Sequence, residues 1–253
     1  CRSAVKWQFC ENNSDRRAHK SPISAQIIFN RFRSADGFEK GQPMRDLWLV
    51  GAGRMGLALL DGWVNAGHVT SAAPAKIVEP QPSAHLKELE QSGNVRLMAP
   101  PIAPVPRPHL IVLAVKPQML SGALAAIRPL AENAGVLSIV AGRSCFSIAE
   151  ELGRPKGSSI VRAMPNTPAQ IGKGISTLYA PPDAGTDLRA AAEQLLSAAG
   201  EIVWVAREDL IDAGTAISGS GPAYYFLMTE ALAAAGEELG LPRADAQRLA
   251  RAT

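Results

Sequence analysis

The run Gly51-Ala52-Gly53-Arg54-Met55-Gly56 constrains this chain more than any other segment. It follows the apolar run Leu47-Trp48-Leu49-Val50 and opens a stretch of helical spacing, so its glycines lie at a strand-to-helix turn. Each glycine has a separate reason to be there. Gly51 permits the tight reversal, Gly53 lets the backbone approach a pyrophosphate, and Gly56 lets the helix lie close to the strand. The helix N-terminus then offers unpaired N–H groups and a partial positive charge to phosphate. The context predicts a dinucleotide-binding turn made of Gly51, Ala52, Gly53, Arg54, Met55 and Gly56, with a ligand-free tight turn as the alternative.

Beyond the turn, short apolar runs alternate with helical stretches, the signature of a parallel sheet covered by helices on both faces. Strands are predicted at 47–50, 75–79, 94–98, 109–115, 135–140 and 158–163, with helices at 54–66, 83–92, 117–131 and 144–152. A strand near 173–179, a helix near 184–199 and the strand Ile202-Val203-Trp204-Val205 follow. The proline-rich stretch 100–108 fits neither helix nor central strand and is expected to be a surface connection. After residue 207 the strand signal vanishes, and the rest reads as helix broken by Ser218-Gly219-Ser220-Gly221-Pro222. Ala231, Ala233, Ala234 and Ala235 would admit a second helix closely, as a dimer interface requires, or simply favour helix.

Residues 1–43 show no sustained period and are expected to be a disordered leader, ahead of a Rossmann-type domain at 44–207 and a partial helical domain at 208–253. The first methionine is Met44, so the leader reads as upstream DNA translated in frame, with a transit peptide as the rival. At the other end, 244–253 is a helical pattern without a stop signal and reads as a fragment cut within a helix. The net charge of +3 resides in the leader, where eight basic residues face four acids; the remaining 210 residues carry 18 against 19. A nucleic-acid binder is therefore not expected. The longest clean apolar run, Leu110 to Val115, is too short to span a bilayer. Cys1, Cys10 and Cys145 fit neither a disulfide framework nor metal-ligand spacing, so a cytoplasmic location is expected.

Several residues outside the glycine turn point to chemistry. Glu79 ends the second predicted strand, where an acid accepts hydrogen bonds from an adenosine ribose and repels the 2'-phosphate of NADP; a solvated acid is the alternative. Gln81 offers that phosphate only neutral donors, which leaves NADPH and NADH both open. Ala114-Val115-Lys116-Pro117 ends the most apolar strand, and Lys116 could reach a phosphate, a ribose or a substrate carboxylate, or remain solvated. In Met164-Pro165-Asn166-Thr167-Pro168 two prolines stiffen a turn that suits a site or a plain corner. Asp212, Thr215 and the Ser218–Gly221 segment beside Pro222 read as a polar helix start able to cradle an anion. His19, His68, His85 and His109 fall in the leader or at polar element edges, which argues against a serine triad or a histidine metal site. Cys145 heads a helix, which could lower its pKa, although a buried inert thiol is the commoner case.

Taken in order, Gly-Ala-Gly-Arg-Met-Gly, Ala-Val-Lys-Pro, Met-Pro-Asn-Thr-Pro and Asp-Leu-Ile-Asp-Ala-Gly-Thr-Ala-Ile-Ser-Gly-Ser-Gly-Pro-Ala-Tyr resemble the pyrroline-5-carboxylate reductase family from Met44 to the end. The resemblance implies a Rossmann-type doubly wound, mostly parallel sheet followed by the start of an all-helical dimerisation domain, assembling as a homodimer or larger homo-oligomer. It implies hydride transfer from NADPH or NADH to 1-pyrroline-5-carboxylate, giving L-proline in the last step of proline synthesis. Residue by residue, Gly51 to Gly56 would hold the pyrophosphate, and Ala114 to Pro117 with Ala141 would line the nicotinamide side. Lys116, Asn166, Glu208, Thr215, Ser218, Gly219, Ser220 and Gly221 would lie near the substrate. The family's Pro-Gly-Gly-x-Thr turn, whose Thr is the usual partner of the ring nitrogen, is absent from this sequence. Residues 44–253 are accordingly expected to bind nucleotide but reduce substrate poorly. The alternatives are a non-catalytic nucleotide-binding protein and a related beta-hydroxyacid or imine reductase.

Overall fold

The computed structural model describes residues 43–99, 108–154 and 159–253. Among them, β1 (Leu47–Val50), β2 (Ala75–Val78), β3 (Val95–Leu97), β4 (Leu110–Leu113), β5 (Gly135–Ser138), β6 (Ile160–Met164), β7 (Gly174–Tyr179) and β8 (Gly200–Trp204) form one sheet. Its strand order is β3-β2-β1-β4-β5-β6-β7-β8. The chain moves outward from β1 to β3, returns, and continues outward from β4, so the order reverses between β1 and β4. All neighbours run parallel as far as β6; β7 is antiparallel to β6, and β8 runs parallel to β7.

Successive side chains on a strand face opposite sides, and both sides are dry here, so the strands read as unbroken apolar runs rather than alternating ones. Leu47, Leu49, Leu110 and Val112 enter one core with Leu59 and Trp63 of α1 (Arg54–Asn65), Leu86 of α2 (Ala84–Gln91) and Leu195 of α5 (Thr186–Ser197). Trp48, Val50, Ile111 and Leu113 enter the other, with Leu120 and Leu124 of α3 (Leu120–Ala131) and Ile148 of α4 (Cys145–Glu151). This is the doubly wound arrangement. Trp63 Nε1 donates to the Leu195 carbonyl at 2.9 Å and so ties α1 to α5 across the first face.

Element positions agree with the sequence pattern to within one or two residues, and the differences are local. Pro117 opens a 3-10 turn (Pro117–Met119) rather than the first α turn. After β8 the chain continues as α6 (Leu210–Gly214), a π-helical turn (Thr215–Gly219), α7 (Gly221–Glu238) and α8 (Arg243–Ala252). The Ser218–Gly221 segment therefore does not break the helix; it widens it by one residue per turn, because the Ser220 N–H reaches the Thr215 carbonyl at 2.9 Å. His68 is not at a polar edge. It is buried, with Nδ1 3.0 Å from the Gln194 amide, and burial pushes its pKa below 6.5. Of Ala231, Ala233, Ala234 and Ala235 only Ala233 is buried, and α7 packs on α8 through Gly236, where an added Cβ would lie 3.1 Å from that of Ala246. The leader at 1–42 and the proline-rich stretch at 100–107 lie outside the described residues, while Pro108 is buried at the entry to β4.

Candidate active site

The carboxyl ends of β1, β2, β4, β5 and β6 share one edge of the sheet, and the glycine turn lies on it where the strand order reverses. In open α/β sheets that is where ligands bind. The three glycines meet different surroundings. Gly51 has φ +91°, and an added Cβ would lie 2.8 Å from backbone atoms of Ala114 and Val115, so the end of β4 closes tightly on the turn. At Gly56 an added Cβ would lie 2.5 Å from the Gly51 carbonyl oxygen, which holds α1 against the turn. At Gly53 an added Cβ meets nothing within 4 Å. That open space faces the start of α1, whose N-cap is Gly53 and which receives no side-chain cap.

Two other helices of the sheet are capped. Ser83 accepts from the Leu86 N–H at 3.2 Å at the head of α2, and Ser144 accepts from the Ser147 N–H at 3.1 Å at the head of α4. Helix α4 has a second cap, since the Cys145 N–H donates to Glu208 Oε1 at 2.7 Å. A carboxylate thus already stands at the positive end of α4, whereas α1 is left for an outside anion. Pyrophosphate fits the residues present: an uncapped twelve-residue helix, a cradle at Gly53 that a side chain would fill, and Arg54 and Met55 in the first turn.

Glu79 stands just past β2 and is half-buried. Its Oε2 accepts the Ala52 N–H at 2.9 Å and its Oε1 accepts the Gln81 N–H at 3.0 Å, so the acid is built into the glycine turn rather than solvated. Lys116 is exposed at the N-cap of the 3-10 turn, next to Pro117, and Ala141 is exposed beyond β5. Both lie on the edge that carries the turn.

On the far side of that edge the helical region is held by two buried polar side chains. Asn166 accepts the Ile175 N–H at 2.9 Å with its carbonyl and donates its amide to the Ser218 carbonyl at 3.1 Å, joining the start of β7 to the π turn. Arg162, 7% exposed, lies between Glu208 Oε1 at 3.5 Å and Asp212 Oδ1 at 3.4 Å. Sequence reasoning missed Arg162, and the available signal was a lone cation within Ile160-Val161-Arg162-Ala163. Burial first, and then the Glu208 carboxylate, pushes the Cys145 thiol up to about 12, so it is the inert thiol and not an activated one.

The anion cradle expected at Ser218–Gly221 is not present. Because the helix runs through it, the Ser220 and Ala223 N–H groups are already bonded, to the Thr215 and Ser220 carbonyls. The Thr215 and Ser218 hydroxyls donate back to the Ile211 and Gly214 carbonyls at 2.7 and 2.9 Å. Gly219 packs by Met164, with its added Cβ 3.7 Å from that side chain's methyl. The structure thus brings Asn166, Thr215, Ser218 and Gly219 together, while Glu208 bonds Arg162 and the Cys145 N–H.

A relative in Pseudomonas aeruginosa, a pyrroline-5-carboxylate reductase, is 38% identical over 201 residues, 79% of this chain and 72% of its own length. The chain belongs to the pyrroline-5-carboxylate reductase family. Residues 208–253 match the model described as pyrroline-5-carboxylate reductase dimerisation, and residues 47–142 match that described as NADP oxidoreductase coenzyme F420-dependent. Solved members of the reductase family share the fold. The Coxiella burnetii reductase aligns with a TM-score of 0.69 at 30% identity, covering 82% of this chain and 76% of its own. The Plasmodium falciparum reductase, solved with NADP bound, aligns at 0.70 and 28%, covering 83% and 76%.

Proposed function

We propose that this chain reduces 1-pyrroline-5-carboxylate to L-proline with a reduced nicotinamide dinucleotide. The observation that carries the reading is the uncapped α1 N-terminus beside the open space at Gly53, in a chain of the reductase family. A bound nicotinamide supplies the hydride that adds to the C=N carbon, and a protonated imine is already an electrophile, so the protein need not provide strong acid–base catalysis. Its residues bind and orient. Gly51 to Gly56 take the pyrophosphate, with Glu79 and Gln81 at the ribose end. Ala114, Val115, Lys116, Pro117 and Ala141 line the nicotinamide side, where Lys116 offers a cation to a carboxylate.

Asn166, Glu208 and the Thr215–Gly221 segment act at the substrate side, where the Asn166 and Arg162 contacts hold the helical region against the sheet edge. Orientation in a dry site is the main catalytic resource left to such a protein. Residues 44–207 serve as the nucleotide domain and 208–253 as the beginning of a dimerisation domain. Consistent with that assignment, Tyr224, Tyr225, Phe226, Leu227 and Met228 of α7 are all more than 60% exposed, a larger apolar surface than a lone helix sustains in water. We place the homo-oligomer contact there. No helix among the described residues is long and apolar enough to cross a membrane, and a cytoplasmic location accords with that and with the free, buried Cys145.

The test incubates the whole chain with 1-pyrroline-5-carboxylate and NADH or NADPH, following nicotinamide absorbance and quantifying L-proline by mass spectrometry. Slow proline formation coupled to cofactor oxidation is expected. Binding of dinucleotide without any proline would overturn the catalytic reading in favour of a non-catalytic nucleotide binder, and preferential oxidation of a hydroxyacid would favour a related dehydrogenase.

A further inference from the structure

We infer that Arg162 is a positioning residue: through Glu208 it holds the substrate-side helical region in place against the nicotinamide side of the sheet edge. The inference rests on the reaction proposed above. Val161 and Ala163 of β6 enter the first core and Ile160 the second, so the alternation of the strand puts Arg162 on the second face, the one that α4 covers. The arginine there is 7% exposed and offers almost no surface to a ligand, so whatever it contributes passes through its partners. A buried ion pair is commonly no more stabilising than apolar residues of like size, which makes stability alone a weak reason for a cation at this position.

The partners of Arg162 reach two sides of the site. Glu208 Oε1 stands 3.5 Å from Arg162 Nη1 and accepts the Cys145 N–H at 2.7 Å, at the head of α4. The loop that leads into that helix begins at Ala141, assigned above to the nicotinamide side. The backbone carbonyl of Glu208 accepts the Ile211 N–H at 3.0 Å and so helps to open α6, which runs on into the π turn with Thr215 and Ser218. Arg162 Nη2 lies 3.4 Å from Asp212 Oδ1 on that same α6. One guanidinium fork thus holds the start of α6 at two points, and one of the two carboxylates also holds α4. Without the cation, the Glu208 carboxylate, 25% exposed, keeps only the Cys145 N–H. Both contacts to the guanidinium are longer than the about 2.7–2.9 Å of a tight charge-assisted bond, slack that a ligand bound on the edge takes up.

The experiment compares the whole chain with Arg162→Met and Arg162→Lys, thermal melts showing which are folded at the assay temperature. Calorimetric titration gives the dinucleotide Kd, and proline formation gives kcat and KM. Hydrogen exchange over residues 141–148 and 208–219 is followed with and without the tighter-binding of NADH and NADPH. In the parent, dinucleotide is expected to slow exchange in both segments. In Arg162→Met the Kd is expected to stay within about threefold, a small change in binding free energy, while the protection of 208–219 is lost. Its kcat is expected to fall about ten- to hundredfold, the cost of misplacing reacting groups by about 1 Å, with KM changing less. Arg162→Lys keeps a cation but not the fork that reaches two acids, and is expected to fall between the two. A lower melting temperature with kcat per folded molecule and the exchange response both unchanged would overturn the inference in favour of a purely structural ion pair. Kd and kcat weakening together, or protection confined to 141–148 in the parent, would overturn it as well. Where Arg162→Met does not fold, parent-like kcat and exchange response in a folded Arg162→Lys would do the same. A parent that makes no proline, yet shows dinucleotide-induced protection of 208–219 that Arg162→Met loses, would overturn the proposed reaction and leave the bridge standing.

Discussion

Three glycine-to-alanine changes in one turn should give three different outcomes, because the added methyl meets a different neighbour each time. At Gly53 the backbone is in an ordinary region, φ −68° and ψ −172°, and the methyl meets nothing within 4 Å. Loss of a good N-cap residue costs a fraction of a kcal/mol to about 1, and the stiffer unfolded chain returns about 0.4–1, so stability should hardly move. At Gly56 the methyl would lie 2.5 Å from the Gly51 carbonyl oxygen, a backbone atom that cannot swing aside. Overpacking of about 1–3 kcal/mol, less about 1 for the gain in helix propensity, leaves a net loss of about 0–2. At Gly51 the φ of +91° adds strain of about 1–3 kcal/mol to a similar clash with β4, for a total of about 2–6.

In a domain of this size each kcal/mol moves Tm by about 2–4 °C. Scanning calorimetry should therefore show no shift for Gly53→Ala, a drop of up to about 8 °C for Gly56→Ala, and the largest drop or a failure to fold for Gly51→Ala. Dinucleotide titration should rank them differently: Gly53→Ala, the most stable of the three, should lose at least about tenfold in affinity because its methyl fills the space left for pyrophosphate. A Gly53→Ala protein that melts several degrees low, or that binds NADH like the parent, would refute the assignment of that space.

Removing the buried cation in Arg162→Met leaves Glu208 paired only with the Cys145 N–H, and should cost about 3 kcal/mol in urea unfolding; the Asp212 partner, 78% exposed, adds little. In Asn166→Ala the Ile175 N–H and the Ser218 carbonyl both lose their partner, which should cost about 2–4 kcal/mol and accelerate hydrogen exchange first in the π turn. His68 is held below its ordinary 6.5 by burial, so the unfolded chain binds the extra proton: its contribution is complete above pH 6.5 and lost as pH falls. His68→Gln should flatten the acid side of the stability–pH curve, and an unchanged slope there would count against a neutral buried imidazole.

The parallel strands were legible because each is an apolar run ending in a turn, as Leu47–Val50 does at Gly51, and both sheet faces are dry. The reversed direction of β7 was not, since Gly174–Tyr179 has the same composition whichever way it pairs. The glycine turn was legible because close backbone approach at Gly51 and Gly56 leaves no room for a Cβ. Asn166 and Glu208 could be singled out, but their work could not be read from them alone, because their partners, Ser218 and Cys145, lie 52 and 63 residues away. The Ser218–Gly221 segment does stand at the start of α7, but it was misjudged as an anion cradle, because here the Thr215 and Ser218 hydroxyls satisfy the carbonyls of a wide turn.

The wide turn also acts as a phase shifter. One residue more than an α-helix needs turns everything beyond it by about 100° about the helix axis, at 3.6 residues per turn. Ile211, before it, faces the sheet and is fully buried, while Tyr224 to Met228, after it, project outward. A one-residue deletion between Thr215 and Gly219 would keep the helix and its composition yet aim a different stripe of side chains at whatever α7 meets. The direction in which each side chain of α7 points is thus set beside Asn166, at the sheet edge.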